Sequence, residues 1–423
     1  MSSPAPIASA FDLSRVREQF PSLSETDNGN PRLYFDNPAG TQVPVSVAER
    51  MTDCLLHKSA NIGGYFTTSK LAAEVADGAR AAVADFLNAP STDEVIFGQN
   101  MTSLTFHLSR SIGRHLKAGD EIILSQMDHD ANVEPWKLMA RDFGLTVRWL
   151  PFDTDGFEFD LSTLDELLGD RTRLVCVGGA SNLLGTINDI ETICGKARDA
   201  GAWSFIDAVQ SAPHVSTDVQ QIGCDFFVCS AYKLFGPHQG MLWGRREVLE
   251  QLEPYKLRPA SDELPWSFET GTLSHEGMAG TAAAIDYFAW IGREMAGVMA
   301  DRRSQLVAAM AMLFDYETHL AQQLIDGLQS IPGVKILGIS DPAALNRRVP
   351  TVSFVHEHHA PASIAKALAE KNIFVWNGHN YALEAARALH IDGTGGAVRI
   401  GAVHYNSAGE VDTVLNELET ILS

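Results

Sequence analysis

The run Asp225-Phe226-Phe227-Val228-Cys229-Ser230-Ala231-Tyr232-Lys233-Leu234-Phe235-Gly236-Pro237 is the stretch on which the fold turns. A short, almost wholly apolar segment with aromatics reads as a buried strand, and Gly-Pro closes it. Lys233 therefore falls at a strand's end. A lysine there is either a solvated charge beside the core, the commoner case because buried lysines are rare, or an amine desolvated enough to attack an aldehyde.

About twenty-five residues upstream, Trp203-Ser204-Phe205-Ile206-Asp207 reads as a second strand ending on a carboxylate, with Gln210 one turn on. Asp207 can cap a helix. It can equally face a pyridinium nitrogen and keep that ring protonated as an electron sink.

Together, D-x-x-Q and S-x-x-K-x-x-G-P resemble the class V, or cysteine-desulfurase-like, branch of the fold-type I enzymes that use pyridoxal 5'-phosphate (PLP). Within that branch the chain is similar to the group II desulfurases and selenocysteine lyases, from Tyr34 to the C-terminus. The resemblance implies an α/β fold in which a large PLP-binding domain with a mostly parallel sheet (35–290) is joined to a smaller α+β domain (1–34 and 291–423). It also implies a homodimer with shared active sites.

The totals fit such a chain. At 423 residues it is long enough for two cores. Its 32 basic and 53 acidic residues give a formal charge of −21, which repels nucleic acid and anionic membranes. Met1 to Phe20 has no basic start followed by an apolar core, and no apolar stretch reaches the length of a membrane span, so a cytoplasmic enzyme is expected. Cys54, Cys176, Cys194, Cys224 and Cys229 show no C-x-x-C pairing and read as reduced, buried thiols. His356-Glu357-His358-His359 has no complementary ligand run elsewhere and reads as a solvated loop, so no metal site is expected.

Along the chain, Ser2 to Ala10 reads as frayed, and short helical and strand signals lead to Asp36-Asn37-Pro38-Ala39-Gly40. The strand Asp93–Phe97, the turn Gly98-Gln99-Asn100 and a helix through Leu116 make an anion cup, because unpaired N–H groups and the helix dipole point at one spot. Leu145–Leu150 and Leu174–Gly178 alternate with helices at Leu161–Leu168 and Ile190–Ala200, the βαβ rhythm of a parallel sheet. Later come a helix Ser304–Gln329 and strands Val334–Leu337, Thr351–Val355, Ile373–Trp376 and Ala397–Ala402.

Carried over residue by residue, the resemblance assigns Asn100, Met101, Ser230 and the Gly271-Thr272 pair to the cofactor phosphate, with Thr272 reaching the partner subunit's cofactor. His129 would stack on the pyridine ring, Asn182 and Gln210 would hold ring substituents, and Arg399 would clamp the substrate carboxylate, with Asn37 and Ala39 on the substrate side. Read alone, Arg399 could instead be a surface charge on an edge strand.

The sequence departs from the family in three places, one of them Tyr232, where a histidine usually precedes the lysine. Desulfurating relatives usually carry arginine-threonine-glycine-histidine-histidine-cysteine where this chain has Trp376-Asn377-Gly378-His379-Asn380-Tyr381. Tyr381 thus stands where the persulfide-carrying cysteine is usual, and a phenol cannot take that role. The loop that usually supplies a histidine and an arginine has Gly63 and Gly64 instead. Loss of a β-substituent needs Lys233 and the electron sink but no protein thiol, so C–S lyase chemistry on a small amino acid is expected, with Tyr381 either protonating the leaving group or walling the pocket. Amino-acid aminotransferase or epimerase chemistry begins with the same proton abstraction. A PLP-binding protein without turnover, acting on a partner, is the remaining alternative.

Overall fold

The computed structural model describes residues 11–423, so the expected frayed segment Ser2 to Ala10 lies outside the described residues. Seven strands, Val95–Gly98 (β1), Glu121–Ser125 (β2), Thr146–Leu150 (β3), Thr172–Gly178 (β4), Trp203–Asp207 (β5), Phe226–Ser230 (β6) and Gly240–Gly244 (β7), form one sheet in the order β1-β7-β6-β5-β4-β2-β3. The pairings from β2 to β6 are parallel, and β7 runs antiparallel to both its neighbours. This is the mostly parallel α/β sheet expected from the sequence.

The apolar run explains itself once both faces are seen. Successive strand residues point to opposite faces, so a strand buried on both sides has no polar alternation. Phe227 and Cys229 enter one core with Ile123, Val175 and Ile206, while Phe226 and Val228 enter the other with Leu124, Cys176 and Phe205. Helices Thr67–Leu87 and His275–Glu294 cover the first face, and Met101–His115 and Glu134–Phe143 cover the second. The sequence reading has no helix over Glu134–Phe143; Pro135 in its first turn, where a missing N–H costs nothing, looks like a breaker in the bare sequence.

Parallel strands bring their C-terminal ends to one edge, where α/β sheets hold ligands. Here that edge gathers Gly178, Asp207 and Ser230, with Asp207 in register between Gly178 and Val228.

A second, four-stranded sheet is formed by Val334–Leu337 (β8), Thr351–His356 (β9), Trp376–Gly378 (β10) and Ala397–Gly401 (β11), in the order β8-β9-β11-β10. The expected strand Ile373–Trp376 divides at Val375: Ile373–Phe374 pairs parallel with Leu33–Tyr34, and Trp376 starts β10. Arg399 lies in β11, an interior strand, so it is not an edge-strand surface charge.

The helix Arg302–Ser330 joins the two cores. Leu306, Ala309 and Leu313 pack under the large sheet, and Leu320, Leu324 and Leu328 pack under the small one. The segment expected to go with the smaller unit also divides, with Val16 and Phe20 in the first core and Leu33 in the second. Among the described residues no helix is long and apolar enough to cross a membrane.

Candidate active site

β6 ends at Ser230, and a single 3-10 turn, Ala231–Lys233, delivers the lysine into a cavity of about 730 Å³ at the strand-end edge. Burial, helped by the Arg399 charge, pulls the Lys233 amine down to about 7, against the opposing pull of Asp207 and Asp36. Its Nζ donates to the Pro38 carbonyl.

Asp207 lines the same cavity from the end of β5, and its Oδ1 accepts the Val209 N–H at 2.9 Å. Burial raises its carboxyl to about 6, with the Val209 hydrogen bond and Lys233 acting the other way. His129 follows β2, and its Nδ1 accepts the Ala131 N–H at 3.0 Å, which assigns the ring proton to Nε2. Burial, then the charges of Lys233 and Arg399, lower it to about 4, so the imidazole is neutral and presents a flat face.

The anion cup is present and differs in detail from the expectation. Asn100 caps Met101–His115: its Oδ1 accepts the Ser103 N–H at 2.8 Å, completing a capping box. The Met101 N–H, expected to face the phosphate directly, donates to Ser230 Oγ at 3.0 Å, which ties β6 to the helix start. Thr102, in the same first turn, also lines the cavity. Gly240 makes the cup possible, since a Cβ there would lie 2.5 Å from the Asn100 backbone.

The small sheet closes the other side. The Arg399 guanidinium donates to the Asn182 carbonyl at 2.9 Å, its Nε is buried without a partner, and burial lowers it to about 10. Asn182 gives its amide to the Asn380 carbonyl at 2.7 Å and leaves its buried Oδ1 unpartnered. Gln210 donates to Thr351 Oγ1 at 2.9 Å. Ala39 and Tyr381 also line the cavity.

One expectation is corrected. Asn37 is not a cavity residue: its amide donates to the Tyr34 and Gly401 carbonyls at 2.9 and 2.7 Å, and its Oδ1 accepts the Tyr405 hydroxyl, so the side chain is fully engaged in joining the two sheets. Gly271 and Thr272 are exposed and lie outside this chain's cavity; the role expected of Thr272 concerns a second subunit.

The sequence reading passed over Asp128. It accepts from Ser125 Oγ at 2.8 Å, Gly178 N–H at 2.8 Å and Asn132 Nδ2 at 2.7 Å, behind His129. His238 was also missed; its ring stacks on Tyr232 with centroids 5.0 Å apart.

A low-pKa amine, a buried carboxylate, a flat neutral imidazole and a helix-start cup fit PLP, and the unpartnered Asn182 Oδ1 and Arg399 Nε fit further polar groups entering with cofactor and substrate. Fold and site define a fold-type I PLP-dependent enzyme. The family model for class-V aminotransferases matches residues 33–414, and the chain belongs to that family.

Its curated relatives include a cysteine desulfurase of Serratia proteamaculans (strain 568), 33% identical over 97% of this chain and 98% of the relative. A probable cysteine desulfurase of Halalkalibacterium halodurans is 32% identical over 96% of each chain. Among solved structures, the apo cysteine desulfurase from Thermococcus onnurineus NA1 superposes with a TM-score of 0.86 at 28% identity, covering 97% of this chain and 98% of the other.

Proposed function

We propose that the protein is a PLP-dependent lyase that splits a C–S bond in a small amino acid by β-elimination, without passing sulfur through a protein thiol. The observation that carries this reading is the placing of the thiols. None of the five cysteines lines the cavity, and each is at most 3% exposed. Burial pushes Cys194 and Cys229 up to about 12, far from the thiolate form a nucleophile needs.

The loop that bears Tyr381 is also held in place. Asp130 N–H donates to the Tyr381 carbonyl at 2.7 Å, Tyr381 N–H donates to His379 Nδ1 at 3.0 Å, and Asn182 holds the Asn380 carbonyl. A relay arm would have to break these contacts.

Bound PLP supplies the electron sink that lets a substrate lose its α-proton. In this reading Arg399 binds the substrate carboxylate through a planar two-point donor. Lys233, its amine lowered to about 7, accepts the proton from Cα and holds it beside the departing sulfur. Asp207 holds the ring-nitrogen proton, and His129 presents a flat wall. The Cβ–S bond breaks with its electron pair leaving on sulfur, which takes up a proton. Overall, an S-substituted cysteine and one water give pyruvate, ammonium and a thiol, with no external oxidant.

We also read the enzyme as a cytoplasmic homodimer. Exposed Leu55, Leu56, Ile62, Tyr65 and Phe66 form an apolar stretch suited to a second copy, and Thr272 lies free to reach it.

The test is the carbon product formed by the holoenzyme from cysteine and from S-substituted cysteines. Pyruvate with ammonium is expected. Alanine, together with an extra sulfur atom on the protein by intact mass, would overturn the reading. Exchange of the α-proton without either product would move it to racemisation or transamination, and PLP binding with no reaction of any kind would move it to an inert partner protein.

A further inference from the structure

Trp376 and Tyr381 stand at the cavity rim with their rings largely open. Trp376 is 50% exposed and Tyr381 is 67% exposed, and neither ring belongs to any of the hydrophobic cores. Trp376 pairs directly with Arg399 across β10 and β11. Residues directly opposite in an antiparallel pair point to the same face, with Cβ atoms about 5 Å apart, so Trp376 and Arg399 leave the sheet on the same side. Tyr381 comes from the other side, its ring stacked on His129 with centroids 5.3 Å apart and planes at 22°.

Both rings spring from a held backbone. Trp376 is held in a strand. Asn380 and Tyr381 take consecutive left-handed conformations, φ 49° and 59°, which non-glycine residues adopt only when their surroundings impose them. The charged side chains lining the cavity are Asp128, Asp207, Lys233 and Arg399. Asp128, Asp207 and Arg399 are buried and Lys233 is nearly so, so none of these four charged groups stands at the rim.

We propose that Trp376 and Tyr381 form a specificity rim that selects amino acids whose β-substituent ends in a flat aromatic group, such as S-aryl cysteines, over cysteine itself. The proposal deepens the lyase reading and rests on it for the reaction that follows binding. With the carboxylate on Arg399, the end of such a side chain reaches the space between the two rings. Offset stacking at centroid distances of about 4.5–7 Å then removes apolar surface from water on both sides. A bare thiol ends short of the rings and leaves them wet.

Two analogues that carry no leaving group isolate this preference from chemistry. Homophenylalanine has the shape of S-phenylcysteine and norvaline that of S-methylcysteine, with a methylene in place of sulfur. Calorimetric titration of the PLP-loaded enzyme is expected to give homophenylalanine a Kd about tenfold or more below that of norvaline. Trp376→Ala and Tyr381→Ala should each shrink that ratio severalfold, and Tyr381→Phe, which keeps the ring, should preserve it. Trp376→Leu, which fills the strand position with an apolar non-aromatic group, serves if the alanine variant does not fold.

Equal affinities in the parent enzyme, or a ratio untouched by removing either ring, would overturn the rim. S-phenylcysteine that binds tightly but yields no pyruvate would leave the rim standing and sink the lyase reading alone.

Discussion

Asp128 accepts the N–H of Gly178 at 2.8 Å, and Gly178 is the direct strand partner of Asp207, so two buried carboxylates are bridged by one backbone residue. Burial, and then the charge of Asp207, raise Asp128 from 3.8 to about 7. Between those values the folded chain binds a proton that the unfolded chain has released. Stability of the cofactor-free protein should therefore fall as pH rises through that window. Asp128→Asn, neutral at every pH, should flatten the slope by up to one proton. Urea midpoints taken from about pH 4 to pH 8 check this, and an unaltered slope would contradict it.

The Lys233 amine, lowered to about 7, is half neutral at neutral pH, whereas an ordinary lysine becomes so only near 10.5. Only the neutral amine attacks an aldehyde. Covalent capture of PLP by the cofactor-free chain, trapped with borohydride and read by mass, should accelerate through about pH 7 and then level off. Lys233→Ala should capture none. A rate that keeps climbing to the ordinary lysine range would show that the amine is not desolvated.

Arg399→Lys keeps the charge and loses the planar fork. With the Asn182 carbonyl contact of 2.9 Å also lost, KM for the amino-acid substrate should rise about ten- to a hundredfold, with kcat changed much less. Steady-state kinetics decide it, and an unchanged KM would remove Arg399 from carboxylate binding.

Glu317 is a stability prediction away from the cavity. It is 1% exposed, contacts His214 Nδ1 at 2.7 Å, accepts the His404 backbone N–H at 2.9 Å and meets His404 Nδ1 at 3.2 Å; His404 Nε2 meets the Tyr287 hydroxyl. Burial alone would raise its carboxyl, but His214 and His404 outweigh burial and hold it below 4.5. A depressed carboxyl stabilises above its ordinary value, and that stabilisation is lost as pH falls. Glu317→Gln should cost about 3–5 kcal/mol near neutral pH, with the gap to the parent narrowing on acidification. Thermal melts at two pH values measure it.

The sequence reading reached furthest where chemistry sits at the end of an unbroken apolar run. Lys233, Asp207 and Arg399 each follow or fall within such a run, because a strand buried on both faces leaves a short and legible signature. Asn37 is assigned to the substrate side by resemblance alone; the groups that occupy its amide, at Gly401 and Tyr405, lie at the far end of the chain. The division at Val375 was hidden for a related reason. Handing a strand from one pairing to another leaves its apolar character unchanged. Asp128 stood beside His129 in plain view, but an acid among polar residues carries no sign of its own burial.

The helix Arg302–Ser330 runs about 44 Å at ideal rise and is clamped at both ends, with Glu317 fastened near its middle. It acts as a tie-beam between the lobe that carries Lys233 and the lobe that carries Arg399. Swinging those lobes apart would mean bending the beam or stripping one of its ends from a core. The spacing between amine and guanidinium is thus held as a fixed gauge across the cavity.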